Sequence, residues 1–484
     1  MGYYLGIDVG GSGIKGVLAD EHGNVIAEEQ VSYTIAHEHV GWAEQDAELW
    51  WQGAKKILQT CVNANPIVKD ELQGIMICGM VPNLVPIDCK GKLIRPAILY
   101  RDNRALEECR YLNGQYGTNF NMQDVTPKWT WLKNHEPENF AKIALILNTH
   151  SFIAYKLTGI ANADADTASL LGEGVYDQTT GWNKQLLEQI GLPVSVLPPC
   201  FYPGEIVGNI TLALQQEFGF TKNIPVLAGN GDSLAAMLGT GVVNADDAMI
   251  YLGTAATLWY MEEDLAKLAH DLIFASGKLH FVGNALTGGE LARWFRTSMQ
   301  LSGESFTLAE LEAGAKIVAA GSEGLFFLPH LMGMRTPIAN PLASGSILGI
   351  SPTHTALHIY RALMEGVAYS LYDSYQASGK KAQRLVITGG GAKCTLWREI
   401  IANVFNLPVE YYAKSDGALG VAYFTAYSLG EFTDFAPLRY GWLGESATVK
   451  PTSELVATYK TSFRKYLKLD KKMQDCYQIL NLEG

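Results

Sequence analysis

Long apolar runs are missing from this sequence. No stretch approaches the ~20 residues an α-helix needs to cross a bilayer. The start, Met1-Gly-Tyr-Tyr-Leu-Gly-Ile-Asp8, has no basic region followed by an apolar one, so no secretory signal is expected. Gly2 lacks the Ser or Thr that a myristoylation signal carries. Basic charge is scarce too: 37 Lys and Arg stand against 49 Asp and Glu, a formal net charge of -12. That balance argues against a nucleic-acid surface and against an anionic membrane surface. It leaves phosphorylated ligands open, because backbone amides bind phosphate without basic side chains. Paired cysteines are lacking as well. The seven cysteines, at 61, 78, 89, 109, 200, 394 and 476, are odd in number and none has CxxC spacing. They read as reduced thiols of a cytoplasmic protein. The ten histidines are scattered, no His/Cys cluster has metal-site spacing, and neither GxSxG nor HExxH occurs.

What is present is a well-buried globular chain of 484 residues, 48% hydrophobic and 18% charged. The length exceeds one hydrophobic core and predicts two domains. Tyr3 to Val9, Ile14 to Ala19 and Val25 to Ser32 read as a three-stranded meander, followed by a helix capped by Asp46 with Leu49, Trp50, Ala54, Ile57, Leu58 and Cys61 on one face. Leu72 to Cys78 is a further buried strand. From Pro82 to about Leu187 the pattern is irregular and aromatic-rich, with helices expected over 103–114, 128–134 and 149–157. Near Ala245 the opening pattern restarts. Strands are predicted over 247–252, 255–260, 271–276 and 279–282, then a helix over 288–300. Ile7-Asp-Val-Gly-Gly-Ser aligns with Ile250-Tyr-Leu-Gly-Thr-Ala, a weak internal repeat in which Asp8 stands where the second copy has Tyr251. Arg384 to Thr388 leads into Gly389-Gly390-Gly391, Thr395 is placed as the cap of the next helix, and Asp416 as the cap of the helix Gly417 to Leu429. Residues from Glu454 onward read as a polar helical tail packed on the outside.

Four features point to chemistry. The turn Asp8-Val-Gly-Gly-Ser-Gly-Ile-Lys15 lies between two strands, so it is neither a Walker A loop nor a dinucleotide fingerprint. Such a hairpin can aim N–H groups at phosphate oxygens, with Asp8 holding Mg²⁺ through water and Lys15 reaching a phosphate; an ordinary glycine hairpin fits equally well. The run Ile224 to Ala228 delivers Asp232 on a turn with glycines at 229 and 231. An acid held this way suits a general base, while the stretch taken alone favours a helix cap. The triple glycine at 389–391 allows close approach of a flat or charged ligand. Asp102 and Arg104 are an acid and a base two residues apart, fit either to grip hydroxyls or to pair at a helix start.

Assembled in order, these pieces resemble the FGGY family of carbohydrate kinases, and within it the xylulokinase branch, over about residues 3 to 430. Gly6-Ile-Asp-Val-Gly10 with Lys15 is similar to the N-terminal phosphate motif, and Thr126-Pro-Lys-Trp-Thr-Trp-Leu132 with Lys-Asn-His-Glu-Pro137 to the first signature. Gly229 to Asp232 resembles the catalytic-base motif, Tyr251-Leu-Gly-Thr254 the second phosphate motif, and Gly389-Gly-Gly-Ala-Lys-Cys-Thr-Leu-Trp397 the adenosine motif. Phe327-Leu-Pro-His-Leu331, Arg335-Thr-Pro337 and Asp416-Gly-Ala-Leu-Gly420 complete the set. The resemblance implies an α/β fold of two duplicated actin-like (ribonuclease H-like) domains flanking a central cleft: an N-terminal domain over 1–243 that binds sugar and a C-terminal domain over 244–484 that binds ATP. It implies Asp232 as proton acceptor, Asp8 and Asp232 as the residues near Mg²⁺, and Gly10, Gly11, Ser12, Lys15, Gly253, Thr254, Gly389, Gly390, Gly391 and Ala392 around ATP. The sugar would lie against Met80, Val81, Pro82, Asn83, Asp102, Arg104 and Asp232.

The departures fall on the sugar side. Where xylulokinases carry Gly-Gln-Met-His-Gly this chain has Gly79-Met-Val-Pro-Asn83, so Pro82 replaces the sugar-contacting His. Trp-Asn-Asp-Gly-Arg appears as Tyr100-Arg-Asp-Asn-Arg104, and Met334 stands for Glu before Arg335. A ketopentose such as xylulose ranks first as acceptor, then a polyol or aldonate (erythritol, glycerol, gluconate), then a non-catalytic actin-like nucleotide switch; strand–turn–strand context argues against a dinucleotide oxidoreductase. No nucleic-acid or membrane partner is expected, and a homodimer is left open.

Overall fold

The computed structural model describes residues 2–268, 278–298 and 306–480. The chain divides into two compact units. The first comprises Met1–Val243, Asp416–Gly444 and the described residues of Asp264–Lys278; the second comprises Asn244–Glu263, Glu445–Gly484 and Leu279–Ser415, again as far as described.

The first unit is built on a six-stranded sheet of β1 (Tyr3–Gly10), β2 (Gly13–Asp20), β3 (Val25–Ser32), β4 (Leu72–Gly79), β5 (Ile206–Asn209) and β6 (Pro225–Leu227), in the order β5-β6-β4-β1-β2-β3. β1, β2 and β3 form the expected antiparallel meander, β4 runs parallel to β1, β6 parallel to β4, and β5 antiparallel to β6. β1 is apolar almost throughout because both its faces are covered. The helix Ala47–Ala64, capped by Asp46 as its sequence predicts, buries Trp50, Ala54, Ile57, Leu58 and Cys61; Leu49, assigned to the same face, is exposed.

The second unit repeats the plan with β7 (Asp247–Leu252), β8 (Ala256–Met261), β9 (Leu279–Ala285), β10 (Arg384–Thr388), β11 (Val409–Tyr412) and β12 (Ser446–Val449), ordered β9-β8-β7-β10-β11-β12. Every strand direction matches its counterpart. The register makes the weak repeat concrete. Asp8 pairs with Cys78 just before Gly79, and Tyr251 pairs with Thr388 just before Gly389. Only the outer edge differs in connection: β5 precedes β6 in the chain, whereas β12 follows β11.

Two further expectations need correction, and one cannot be compared. The C-terminal half, expected as one domain over 244–484, is not continuous, because Asp416–Gly444 packs in the first unit. The helix Gly417–Ser428 is buried over most of its surface. It lies so close to β1 that a Cβ on Gly6 would sit 2.1 Å from the carbonyl oxygen of Ala418 and 2.3 Å from the amide nitrogen of Ala422. Thr395 is the first residue of its helix, and Cys394 is the cap, its Sγ accepting from the Trp397 amide at 3.4 Å. The C-terminal helix Ser453–Leu480 is mostly polar and buries Tyr459, Phe463, Tyr466 and Tyr477 along one side, as expected of a helix packed on the outside. The strand expected over Asp271–Ser276 lies outside the described residues.

The contact at Gly6 is backbone against backbone, so no rotamer change can relieve it. Gly6→Ala is expected to destabilise the protein by about 1–3 kcal/mol, the usual cost of overpacking, read as a lower midpoint in denaturant unfolding.

Candidate active site

Three carboxylates of the first unit converge at the turn end of β1. Asp8 is fixed by the register of β1, and its Oδ1 is buried without a hydrogen-bond partner. Asp232 opens the helix Asp232–Gly239, with Gly231 in the cap position, so the reading of Asp232 as a cap gives way to that of a first-turn acid. Asp416 caps the helix Gly417–Ser428 through the amides of Ala418 (2.9 Å) and Leu419 (3.3 Å). A Cβ on Gly417 would lie 2.7 Å from Oδ2 of Asp8, which puts that carboxylate against the start of the same helix.

The electrostatics follow from this crowding. Burial, then the charges of Asp232 and Asp416, push the Asp8 carboxyl up to about 8, with Lys15 opposing. Burial also raises Asp232, against the pull of the Ser233 amide, its own amide and the charge of His150. Lys15, expected to reach a phosphate, is ion-paired with Asp416 and lies 3.3 Å from Glu28. Burial pulls its ammonium down, but the hydrogen bond and charge of Asp416 outweigh this and raise it. Asp416 was legible as a helix cap and as the start of the last matched motif, but its pairing with Lys15 beside Asp8 is one that sequence reasoning missed. The carbonyl oxygens of the hairpin are tied back to the protein: Gly10 to the Tyr33 hydroxyl (2.8 Å), Gly11 to Gln45 Nε2 (3.2 Å) and Ser12 to the Tyr33 amide (3.1 Å). With that side satisfied, the turn meets the condition for presenting its amide side to an anion.

Beside Asp232, the loop 79–83 is joined to its surroundings through Asn83. Asn83 Nδ2 donates to the carbonyl oxygen of Met80 (2.9 Å) and to Thr149 Oγ1 (2.7 Å), and its Oδ1 accepts from the Tyr100 amide (2.7 Å). Met80 and Asn83 are buried, while Val81 and Pro82 remain partly open. Asp102 and Arg104 do come together, but as a closed unit. Asp102 accepts from Arg104 Nε (2.9 Å) and Nη2 (2.7 Å) and from the Ala43 amide (2.6 Å), and its side chain is 0% exposed. Glu44 lies 2.5 Å from Arg104 Nη1. The guanidinium is clamped between Trp42 and Trp131, 3.7 and 4.9 Å from their ring centroids. Trp131 comes from the helix Val125–His135, whose Thr126 Oγ1 donates to the Leu171 carbonyl at 2.7 Å, so the signature over 126–132 builds a wall of this cluster. Its Lys128 is wholly buried, donates to the Gln123 carbonyl at 2.6 Å, and is held down at about 7 by burial against the pull of Asp102 and Asp124.

The second unit carries a cavity of about 620 Å³, a size suited to a nucleotide-sized ligand. Gly253, Thr254, Gly390, Gly391, Cys394 and Trp397 line it, with Glu312 and Tyr360. The hairpin is locked to the helix Gly289–Ser298: the amides of Gly288 and Gly289 donate to Thr254 and Gly253 carbonyls at 2.8 and 2.6 Å. Of the glycines at 389–391 only Gly389 has positive φ, 92°, and it passes against Leu252, where a Cβ would lie 2.6 Å from the Leu252 carbonyl oxygen. Gly389 and Ala392 shape the wall from behind, and Gly390 and Gly391 face the space.

Residues 3–239 match the N-terminal domain, and residues 248–429 the C-terminal domain, of the FGGY family of carbohydrate kinases. The chain belongs to that family. It is an ATP-dependent carbohydrate kinase, a phosphotransferase with an alcohol acceptor. The xylulose kinase of Bacillus subtilis (strain 168) is 29% identical over 492 residues, covering 96% of both chains. That of Escherichia coli (strain K12) is 30% identical over 437 residues, covering 87% of this chain and 88% of the relative. The crystal structure of xylulose kinase from Rhodospirillum rubrum superimposes with a TM-score of 0.86 at 25% identity, over 98% of this chain and 100% of that one. The two-domain actin-like fold of FGGY kinases accounts for the paired sheets, each with a hairpin leading into it. No described helix is long and apolar enough to cross a membrane.

Burial of Lys128 disfavours its charged form in the folded state, so the folded chain binds fewer protons than the unfolded chain between pH 7 and the ordinary lysine range. That penalty is full below about pH 7 and relieved as pH rises. Comparison of Lys128→Met with the parent by urea unfolding should therefore show the difference in stability moving in the parent's favour from pH 7 to pH 10.

Proposed function

We propose that this FGGY kinase transfers the γ-phosphoryl group of ATP to a primary hydroxyl of a ketopentose, xylulose first, with Asp232 as the proton acceptor. The near-full-length relatives named xylulose kinases support the acceptor class. The reading rests on one observation above others: Asp232 and Asp8 are mutually repelling carboxylates at the ends of two glycine turns, and Asp8 keeps a buried oxygen without a partner. An unpartnered carboxylate oxygen of this kind fits a hydrated divalent cation, which keeps most of its own water and needs one or two protein carboxylates. Asp8, with Asp232 near it, would hold Mg²⁺, whose charge neutralises the phosphates.

The remaining work falls to the chain. Asp232 accepts the hydroxyl proton as the sugar oxygen bonds to the γ-phosphorus; the bond from that phosphorus to the β–γ bridging oxygen breaks, and ADP leaves with the electron pair. The hairpins at Gly10–Ser12 and Gly253–Thr254 offer amides to the phosphates, and Gly390, Gly391 and Trp397 bound the adenosine. Val81 and Pro82 lie against the sugar, whereas Asp102, Arg104 and Asn83 hold its wall, since their hydrogen bonds are engaged within the protein. The buried cations beside that wall, Arg104 and Lys128, are likewise engaged, which favours a neutral sugar over an aldonate. Free thiols at the described cysteines suit a cytoplasmic setting.

Asp232→Asn should lower sugar-dependent ADP release by about 10²–10⁴-fold, the usual worth of a general base; a folded variant with a near-normal rate overturns the assignment. Among xylulose, ribulose, erythritol, glycerol and gluconate, xylulose is expected to give the highest kcat/KM, and gluconate or a polyol in first place overturns the choice of acceptor.

A further inference from the structure

The segment at 163–168 sits in the irregular, aromatic-rich stretch, and nothing in its sequence ties it to catalysis. In the structure Ala163–Asp164 pairs with Cys200–Phe201, and a helical turn, Ala165–Ala168, follows it. That turn presents two buried carboxylates. Asp164 accepts from the Thr167 amide (2.7 Å) and from the Thr167 hydroxyl, and meets His150 Nε2 at 2.6 Å. Asp166 accepts from Asn230 Nδ2 at 2.8 Å. Asn230 Oδ1 accepts from the Gly231 amide at 2.5 Å, and the Asn230 carbonyl accepts from Gly79 at 3.0 Å. Asp166, Thr167 and Asn230 are 0% exposed.

Two buried carboxylates are expensive unless hydrogen bonds compensate them, and apolar residues of similar size would serve packing at least as well. The polar set converges on a single loop instead. That loop, Gly229-Asn-Gly-Asp232, has one side chain, Asn230, between two glycines. Glycine leaves a backbone loose, while proton transfer needs its acceptor placed well within an ångström. The backbone of the loop is packed against Ile77 at Gly229 and bonded to Gly79 at Asn230; Asn230 adds the side-chain anchor ahead of Asp232, and Asp166 is what grips it. The His150–Asp164 pair secures the same turn to the helix Thr149–Thr158, so Asp166 is itself held from behind.

We propose that Asp166 is a positioning residue for phosphoryl transfer, fixing the Asp232 loop through its hydrogen bond with Asn230. This rests on Asp232 being the proton acceptor. Asp166 touches no reacting atom, so its loss acts on turnover rather than on binding. Asp166→Ala is expected to lower kcat for the sugar about 10- to 100-fold, the scale of an ångström of misplacement, with KM for sugar and for ATP changed less than about twofold. Asp166→Asn keeps an oxygen facing Asn230 and is expected to recover most of kcat. Asn230→Ala breaks the bond from the other side and serves if Asp166→Ala fails to fold; it should show the same loss, and the double variant no further one. Unchanged kcat in a folded Asp166→Ala or Asn230→Ala, a rise in KM at constant kcat, losses that multiply in the double variant, or Asp166→Asn as impaired as Asp166→Ala would each overturn the proposal. Asp232→Asn measured alongside separates the two readings. If it stays active, the proton-acceptor reading fails; if it is inactive while Asp166→Ala is normal, only the positioning role fails.

Discussion

The structure depends on one close approach, that of the helix Gly417–Ser428 to the backbone of β1 at Gly6. A helix can lie this near a strand only where the strand has no side chain. The same helix meets the helix Asp232–Gly239 at glycines, since a Cβ on Gly420 would lie 2.4 Å from the Gly239 amide nitrogen. Both approaches bring backbone ends, rather than side chains, to the site. The result is that Asp416, a cap by its local sequence, lands beside Lys15 and Asp8. The charge balance of the site then follows from packing: Lys15 is neutralised by Asp416, and Asp8 is left as the acid with an open oxygen.

The two sheets show how one scaffold serves unlike tasks. Position for position they run alike, yet the residue paired just ahead of the parallel neighbour's glycine is Asp8 in one and Tyr251 in the other. The carboxylate faces a crowd of like charge, while the tyrosine is partly exposed and borders the cavity of the second unit. Substituting one side chain at an unchanged register separates an end crowded with carboxylates from one that borders a cavity.

Much of this was legible in the sequence. The meander, the glycine hairpins, the placement of Asp232 on a glycine turn and the repeat all express local rules of periodicity and turn chemistry, and they hold in the structure. What was hidden depends on contacts distant in the chain. Nothing near Asp416 announces Lys15, and nothing near Asp166 announces Asn230. Asp102 and Arg104 were legible as a pair, but their enclosure by Trp42, Trp131 and Glu44 was not, because those residues come from two segments distant from the pair. The C-terminal helix was legible as polar and outward-lying, but which of its tyrosines are buried becomes plain only with its neighbours in place.

The return of Asp416–Gly444 to the first unit also sets an order of events during synthesis. β1 (Tyr3–Gly10) leaves the ribosome long before the helix Gly417–Ser428 that covers it. Until that helix emerges, the groove over Gly6 has nothing to close it, and the nascent first unit carries an open apolar face through most of translation. A chain cut between Leu227 and Asp416 keeps every strand of the first sheet and still lacks the helix that covers it. The duplicated halves look like separable modules, but the first of them is finished only when its late segment arrives.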